Sequence, residues 1–315
     1  MRKTWFERAL FISWYCAVGD CDYCYMSTQK KLISNPKMAR RREESVLGEA
    51  VISKLCGWRI EFVSGGIGCC TADEIVGLVK KIHHITGQRQ WLNVGVMPKS
   101  SLEKFGDSIE GVSGSVESVN PEVRKRACPS KPLRPILKML DDASSLGLKK
   151  SITIIIGLGE TEEDIPLLFN LIEEHGIDRV TFYALNPHEG TRYERGPETE
   201  YYLKWIKATR ERFPGLEIIA GSWVDRLDEI PSLLKAGADA FTKFPSIKLF
   251  NSSYARRVEK LLANEGIDFE GTFTRAPSWQ SVVNVVDALP FKDELKRKIL
   301  AKAEQYHRLL LKDKK

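Results

Sequence analysis

The 315-residue chain is 43% hydrophobic and 29% charged, with 48 basic and 42 acidic residues, a net charge of +6 and seven cysteines. These values suit a globular protein in water, and no run approaches the roughly 18 consecutive apolar residues of a membrane span. The basic and then apolar start, "MRKTWFERALFISWYC", is interrupted by Glu7 and Arg8 and leads to no small-residue cleavage site, so the expectation is a cytoplasmic protein without a membrane role. An odd cysteine count in a chain of this size points to metal or redox chemistry rather than a disulfide framework.

Short β-rich runs at 9–15, 59–65, 91–97, 111–118, 151–159, 179–187, 216–223 and 240–244 alternate with segments of helical period. Thr71 with Glu74, and Thr161 with Asp164, mark two helix starts. Eight strands with crossover helices predict a parallel sheet. Closure into an α/β barrel of the (β/α)8 TIM type, which uses about 250 residues, is the simplest architecture. Residues 1–250 are assigned to this barrel and 251–315 to a C-terminal helical extension packed on it. Chemistry in such barrels sits on the loops after the strands. Three unusual loops fall there: "CAVGDCDYC" after the first strand, "SGGIGCC" after the second and "GLGETEED" after the fifth.

Cys16, Cys21 and Cys24 form one tight group, C-x4-C-x2-C, with no histidine before His83. Structural zinc normally takes four ligands, usually as two separated pairs. Iron–sulfur motifs place several thiolates on one loop, and three thiolates on a four-iron cluster leave one iron open to a small molecule. At these residues the chain resembles the radical S-adenosylmethionine (radical SAM) superfamily, whose usual spacing is C-x3-C-x2-C with an aromatic residue before the third cysteine. Tyr23 takes that aromatic position, and the first gap is one residue longer. The resemblance implies a [4Fe-4S] cluster on Cys16, Cys21 and Cys24 and S-adenosylmethionine bound to it. It also implies cleavage of that cofactor to a 5′-deoxyadenosyl radical, which removes hydrogen from an unactivated carbon. It further implies that Ser64, Gly65 and Gly66 meet the methionine amino group, that Glu117 lies near the ribose or methionine, and that Ile155 and Gly157 lie beside the adenine. Arg124, Arg126, Lys131 and Arg134 follow the fourth strand and are candidates for a cofactor carboxylate.

"LKKSITIIIGLGETEED" and "AGSWVDRLDEIPSLLKAGADAF" resemble the biotin synthase-like branch. The positions of that branch's second, two-iron cluster fall near Phe62, Leu92, Ser151 and Ser222, none of them cysteine or arginine. "NSSYARR" (251–257) is similar to the R-S-S-Y stretch of lipoyl synthases, with Asn251 in place of arginine. This resemblance implies a second, auxiliary [4Fe-4S] cluster as sulfur source, with Cys69, Cys70, Cys128 and Ser252 or Ser253 as its ligands. Cys56 reads as a core residue. The combination resembles the archaeal two-component lipoyl synthases. It implies sulfur insertion into an octanoyl-lysine on a lipoyl carrier protein or peptide, a paralogous radical SAM partner subunit and a ferredoxin- or flavodoxin-type electron donor. The basic surplus, including the tail "LKRKILAKAEQYHRLLLKDKK", then has a use in steering an acidic carrier, beside its plain reading as a solvated helix face. Three alternatives stand: a hydrogenase-maturation or methylornithine-type enzyme acting on a small molecule, an RNA-modifying methylthiotransferase, and a non-catalytic iron–sulfur protein. No RNA-binding domain is recognisable in the tail, so a nucleic acid partner is not expected.

Overall fold

The computed structural model describes residues 2–312. Eight strands, β1 (Arg2–Phe11), β2 (Arg59–Ser64), β3 (Gln90–Asn93), β4 (Ile109–Glu117), β5 (Lys149–Ile156), β6 (Arg179–Ala184), β7 (Glu217–Gly221) and β8 (Ala240–Thr242), pair in parallel in chain order. The β1–β2 and β1–β8 pairings close the ring. The expected TIM-type barrel is therefore the fold, with strand ends differing from the sequence reading by a few residues. The largest difference is at β1, expected at 9–15 and found at Arg2–Phe11.

Burial explains the strand pattern. Six consecutive residues of β5, Ser151 to Ile156, are buried, the continuous run that a parallel strand covered on both faces requires. Most helices bury one face. The exception is α1 (Glu43–Leu55), in which the residues from Val46 to Ser53 are all covered, because the helix is sandwiched between the barrel and the C-terminal region. Helix α2 (Ala72–Thr86) opens with the expected Thr71–Glu74 capping box and stops at Gly87 in the left-handed conformation. Besides the short helices Tyr25–Gln29 and Lys99–Leu102, five longer ones serve the barrel: α3 (Pro121–Ala127), α4 (Leu133–Ser144), α5 (Ile165–His175), α6 (Thr199–Arg212) and α7 (Ile230–Ala236).

The C-terminal region contains α8 (Ser253–Asn264), β9 (Ile267–Glu270), α9 (Trp279–Asp287) and α10 (Asp293–Leu311). It is not wholly helical: β9 pairs with Arg2–Trp5 and makes a ninth strand beside β1. Helix α10 buries Ile299, Ala303, His307 and Leu310, and Tyr306 accepts a 2.9 Å hydrogen bond from Arg41. On its outer face Glu294–Lys298 and Glu304–Arg308 pair within the helix, so part of the basic tail is balanced locally. Residues 313–315 of that tail lie outside the described residues. No helix among the described residues is long and apolar enough to cross a membrane.

Candidate active site

The cysteine loop leaves β1 over the C-terminal ends of the strands. It is tied down by Ile12 N–H to the Ser64 carbonyl (2.7 Å), Ala17 N–H to Ile67 (2.8 Å) and Asp22 N–H to Ala127 (3.0 Å). Cys16, Cys21 and Cys24 line one cavity of about 180 Å³ together with Ser64, Gly65, Gly66, Glu117 and Lys131. These are residues that the sequence reading assigned to one site, and the structure adds a reason for the glycines. A Cβ on Gly66 would stand 2.1 Å from the Tyr15 carbonyl oxygen and 2.6 Å from Cys16 Cα, and one on Gly65 would meet Cys69 Sγ at 2.8 Å. The cysteine loop lies directly on Gly66, so this glycine shapes the metal loop itself.

Burial pushes the Cys24 thiol up. The Cys21 thiol is pushed up first by its hydrogen bond with Cys128 and then by burial, and the same bond draws Cys128 down. Buried neutral thiols of this kind become strong soft ligands once a metal displaces their protons. Cys16, Cys21 and Cys24 on one loop, over a glycine floor, supply the three thiols that an iron–sulfur cluster with one iron free of protein would need.

Glu117 ends β4 at a register shift, with φ at +67°, a conformation that costs energy for a side chain and clusters at functional sites. Its Oε1 lies 2.7 Å from Lys131 Nζ, and its Oε2 accepts from Thr153 Oγ1 at 3.2 Å. Burial favours a neutral Lys131, but the negative surroundings, Glu117 first and then Cys128 and Cys21, together outweigh this and hold the ammonium well above the ordinary lysine range. Of the four candidate cations, Lys131 lines the cavity. Arg124 is spent on the Val116 and Lys131 carbonyls, Arg126 on the Leu158 carbonyl, and Arg134 is exposed. Gly157, at φ +109°, donates to Glu160 Oε1 at 2.6 Å and Gly159 to Oε2 at 3.1 Å, so Glu160 fastens the turn after β5. Ile155 faces a second, larger space.

That space is a cavity of about 480 Å³, and it meets the first one at Tyr23, Cys24 and Met26. Its wall includes Phe11, Trp14, Tyr25, Tyr183, Trp223 and Phe244. The charges around it are paired. Glu61 is fully buried and accepts from Tyr183, from Thr242 Oγ1 at 2.7 Å and from Lys243 Nζ at 3.2 Å. Deeper in the barrel Glu7 pairs with Arg179, whose guanidinium lies 5.2 Å from the Trp91 ring. Lys243, like Glu117, has positive φ, at +76°. Sequence reasoning missed Glu61, Tyr183 and Lys243; the one signal available was a charge inside each of the strand runs "RIEFVS" and "AFTKF".

The five positions expected to hold an auxiliary cluster are not brought together. Cys128 contacts Cys21 and lies 3.8 Å from the Tyr23 hydroxyl. Cys69 and Cys70 contact each other, and Arg40 donates to the Cys69 carbonyl at 2.6 Å. Cys70 lines an outer pocket with Asp73 and Glu74 of α2. Ser252 is the N-cap of α8: its Oγ accepts from Ala255 N–H and donates to the Leu249 carbonyl at 2.6 Å, and Ser253 is exposed. Its neighbour Phe250 packs on Trp58, which precedes β2. The S-S-Y similarity reflects helix capping here. Cys56 is buried in the core, as expected.

A parallel barrel with a three-thiol loop over its C-terminal mouth and a paired carboxylate and ammonium beside it defines a metal-dependent enzyme class. The sequence profile of the Radical SAM superfamily matches residues 13–172. An uncharacterized protein of Methanocaldococcus jannaschii is 47% identical over 272 residues, covering 85% of this chain and 75% of that one. A lipoyl synthase of Streptomyces coelicolor is 27% identical over 205 residues, and a biotin synthase of Methanococcus maripaludis 27% over 124. These matches take in 59% and 39% of this chain and 58% and 38% of theirs. Among solved structures, methylornithine synthase superposes with a TM-score of 0.67 at 19% identity, over 85% of this chain and 83% of that one, a likeness of fold. The chain belongs to the radical SAM superfamily. That membership implies a [4Fe-4S] cluster and S-adenosylmethionine, and Cys16, Cys21 and Cys24 are the residues that would hold the cluster.

Proposed function

We propose that this radical SAM enzyme inserts sulfur at an unactivated C–H of an octanoyl chain borne by a lysine of a lipoyl carrier protein or peptide. The observation that carries the reading is the 480 Å³ cavity adjoining the cysteine loop, aromatic-walled and with its charges already paired. An apolar chain gains free energy by entering such a space. A free amino acid would bring a carboxylate and an ammonium that need partners of their own, so the small-molecule alternative is less well supported. The distant similarity to lipoyl and biotin synthases agrees with sulfur chemistry.

When bound, the cluster and S-adenosylmethionine supply the one-electron chemistry that removes hydrogen from an unactivated carbon. The chain's own residues bind and orient. Lys131 and Glu117 offer an ammonium and a carboxylate to the polar groups of the cofactor, Gly65 and Gly66 keep the floor low, and Tyr23 and Met26 stand between the two cavities. Because Cys128 is engaged with Cys21 while Cys70 lines an outer pocket, we place the sulfur-donating cluster on a paralogous partner subunit. A ferredoxin- or flavodoxin-type protein supplies electrons.

The test is anaerobic incubation with reductant, S-adenosylmethionine and an octanoyl-lysine peptide, with and without the paralogue, followed by mass spectrometry. Sulfur addition that requires the paralogue, together with one four-iron cluster per chain, is expected. Formation of 5′-deoxyadenosine with a free amino acid, and none with the octanoyl peptide, would overturn the reading.

A further inference from the structure

We propose that the rim formed by residues 14–42 is the docking surface for an acidic protein, which threads its acylated lysine between Trp14 and Tyr25 into the large cavity. This inference rests on the octanoyl-lysine reading above.

Three observations converge on the rim. The first is exposed apolar surface. Trp14 is 42% exposed, Tyr25 45%, Leu32 76% and Met38 82%, four of the nine large exposed hydrophobic residues among those described. Single exposed residues are ordinary, but a cluster beside a cavity marks an interaction site.

The second observation is continuity. A groove of about 340 Å³ is lined by Trp14, Tyr25, Gln29 and Ile33, and the first two also line the reaction cavity. Trp14 stacks on Phe11 at 4.9 Å and meets Tyr25 edge-on at 6.4 Å. Hydrogen bonds from Trp14 N–H to Ala39 (3.1 Å) and from Arg41 N–H to Ile12 (2.9 Å) hold the segment against the end of β1. A side chain lying in the groove would pass directly toward the Cys24 side of the cavity.

The third observation is charge. Residues 23–42 contain Lys30, Lys31, Lys37, Arg40, Arg41 and Arg42 and no acidic residue. Arg40 pairs with Glu74 and Arg41 with Glu49. Lys30 donates to the Val18 carbonyl, which leaves its charge unbalanced. Lys31, Lys37 and Arg42 are exposed, and no ion pair joins them to the described residues. Residues 14–42 also hold Asp20 and Asp22, the second of them paired with Arg192; against Asp20 the rim sets four cations that have no ion-pair partner among the described residues, and this positive excess beside an apolar groove is complementary to an acidic protein with a central apolar projection. An RNA surface would explain the cations and aromatic rings. It would not explain the aliphatic Leu32 and Met38, nor an apolar cavity behind them that offers few partners to the edges of a base.

The experiment compares two octanoyl-lysine substrates, an acidic carrier domain and a neutral peptide, in the presence of the paralogous subunit, on the wild-type enzyme and on a Lys31→Glu/Lys37→Glu/Arg42→Glu variant. Binding of the fluorescently labelled domain is measured in parallel. Expected results are at least a tenfold loss of domain affinity in the variant, a matching rise in KM for the domain, and unchanged kinetics on the peptide. Wild-type affinity should fall as salt rises, and Leu32→Ser/Met38→Ser should weaken the domain without that change in salt dependence. Equal binding of the domain by wild type and charge-reversed enzyme overturns the surface. So does tighter binding of single-stranded RNA than of the domain, if the same substitutions abolish it. If neither substrate is converted while the domain still binds wild type and not the variant, the sulfur-insertion reading fails and the surface stands.

Discussion

Lys131 Nζ and Glu117 Oε1 meet at 2.7 Å in the wall of the small cavity, with side chains only 12% and 8% exposed. A buried pair is costly to break from one side, because the remaining charge loses its partner without regaining water. Lys131→Met should therefore cost about 3–5 kcal/mol of stability, measured by chemical denaturation. It should also remove S-adenosylmethionine binding, measured by calorimetry. The double variant Lys131→Met/Glu117→Gln should recover most of the stability and none of the binding. Recovery of both would mean that the pair serves the fold alone.

Gly66→Ala places a Cβ within 2.6 Å of Cys16 Cα, and backbone at that distance has to move. The variant should fold, as judged by circular dichroism, yet take up little iron on anaerobic reconstitution. Gly77 in α2 is the control. A Cβ there meets nothing within 4 Å, so Gly77→Ala should keep its full iron content and gain about 0.5–1 kcal/mol from helix propensity.

Much of this architecture is legible in the sequence because it is local. Each strand is a short β-rich run, and the three cluster cysteines lie within nine positions. What escapes is long-range. Tyr183 and Lys243 reach Glu61 from 122 and 182 residues away, and no pattern around any one of them announces the others. The partner of β9 is the opposite end of the chain, so a four-residue strand among helices carries no sign of its own. The five positions read as auxiliary-cluster ligands are placed on different parts of the fold for a related reason. Ser252 sits in a stretch whose chemistry also makes a helix cap, and adjacent cysteines on a polar loop do not show which way each side chain turns. Cys69 packs against Gly65, whereas Cys70 lines an outer pocket.

The cysteines therefore separate into groups with different expected behaviour. Replacing Cys16, Cys21 or Cys24 with alanine should abolish the cluster absorbance near the visible region. Cys69→Ala, Cys70→Ala and Cys128→Ala should each retain the iron and sulfide content of the parent. Burial, and then the neighbouring Cys70, push the Cys69 thiol up to about 12. A raised thiol pKa means that the proton is held below that pH, and the reactive thiolate becomes about tenfold rarer with each unit below it. Iodoacetamide at pH 8 should accordingly leave Cys69 unmodified in the folded protein, as read by peptide mass mapping, and modify it after denaturation.

Ala9 lies in β1 on the wall of the large cavity, where a longer side chain would take space from the substrate rather than from the packed core. If the cavity holds the acyl chain, Ala9→Leu should shorten the chain it accepts. The preference for hexanoyl over octanoyl peptide, expressed as the ratio of kcat/KM values, should rise about tenfold. That is roughly the discrimination one or two methylenes confer in an apolar pocket. Iron content and the yield of 5′-deoxyadenosine without peptide should stay at parent levels, because Ala9 does not line the cavity of the cysteine loop. An unchanged ratio would place the acyl chain outside this cavity. Equal losses on both substrates would show that the leucine disturbs the barrel wall rather than reading chain length.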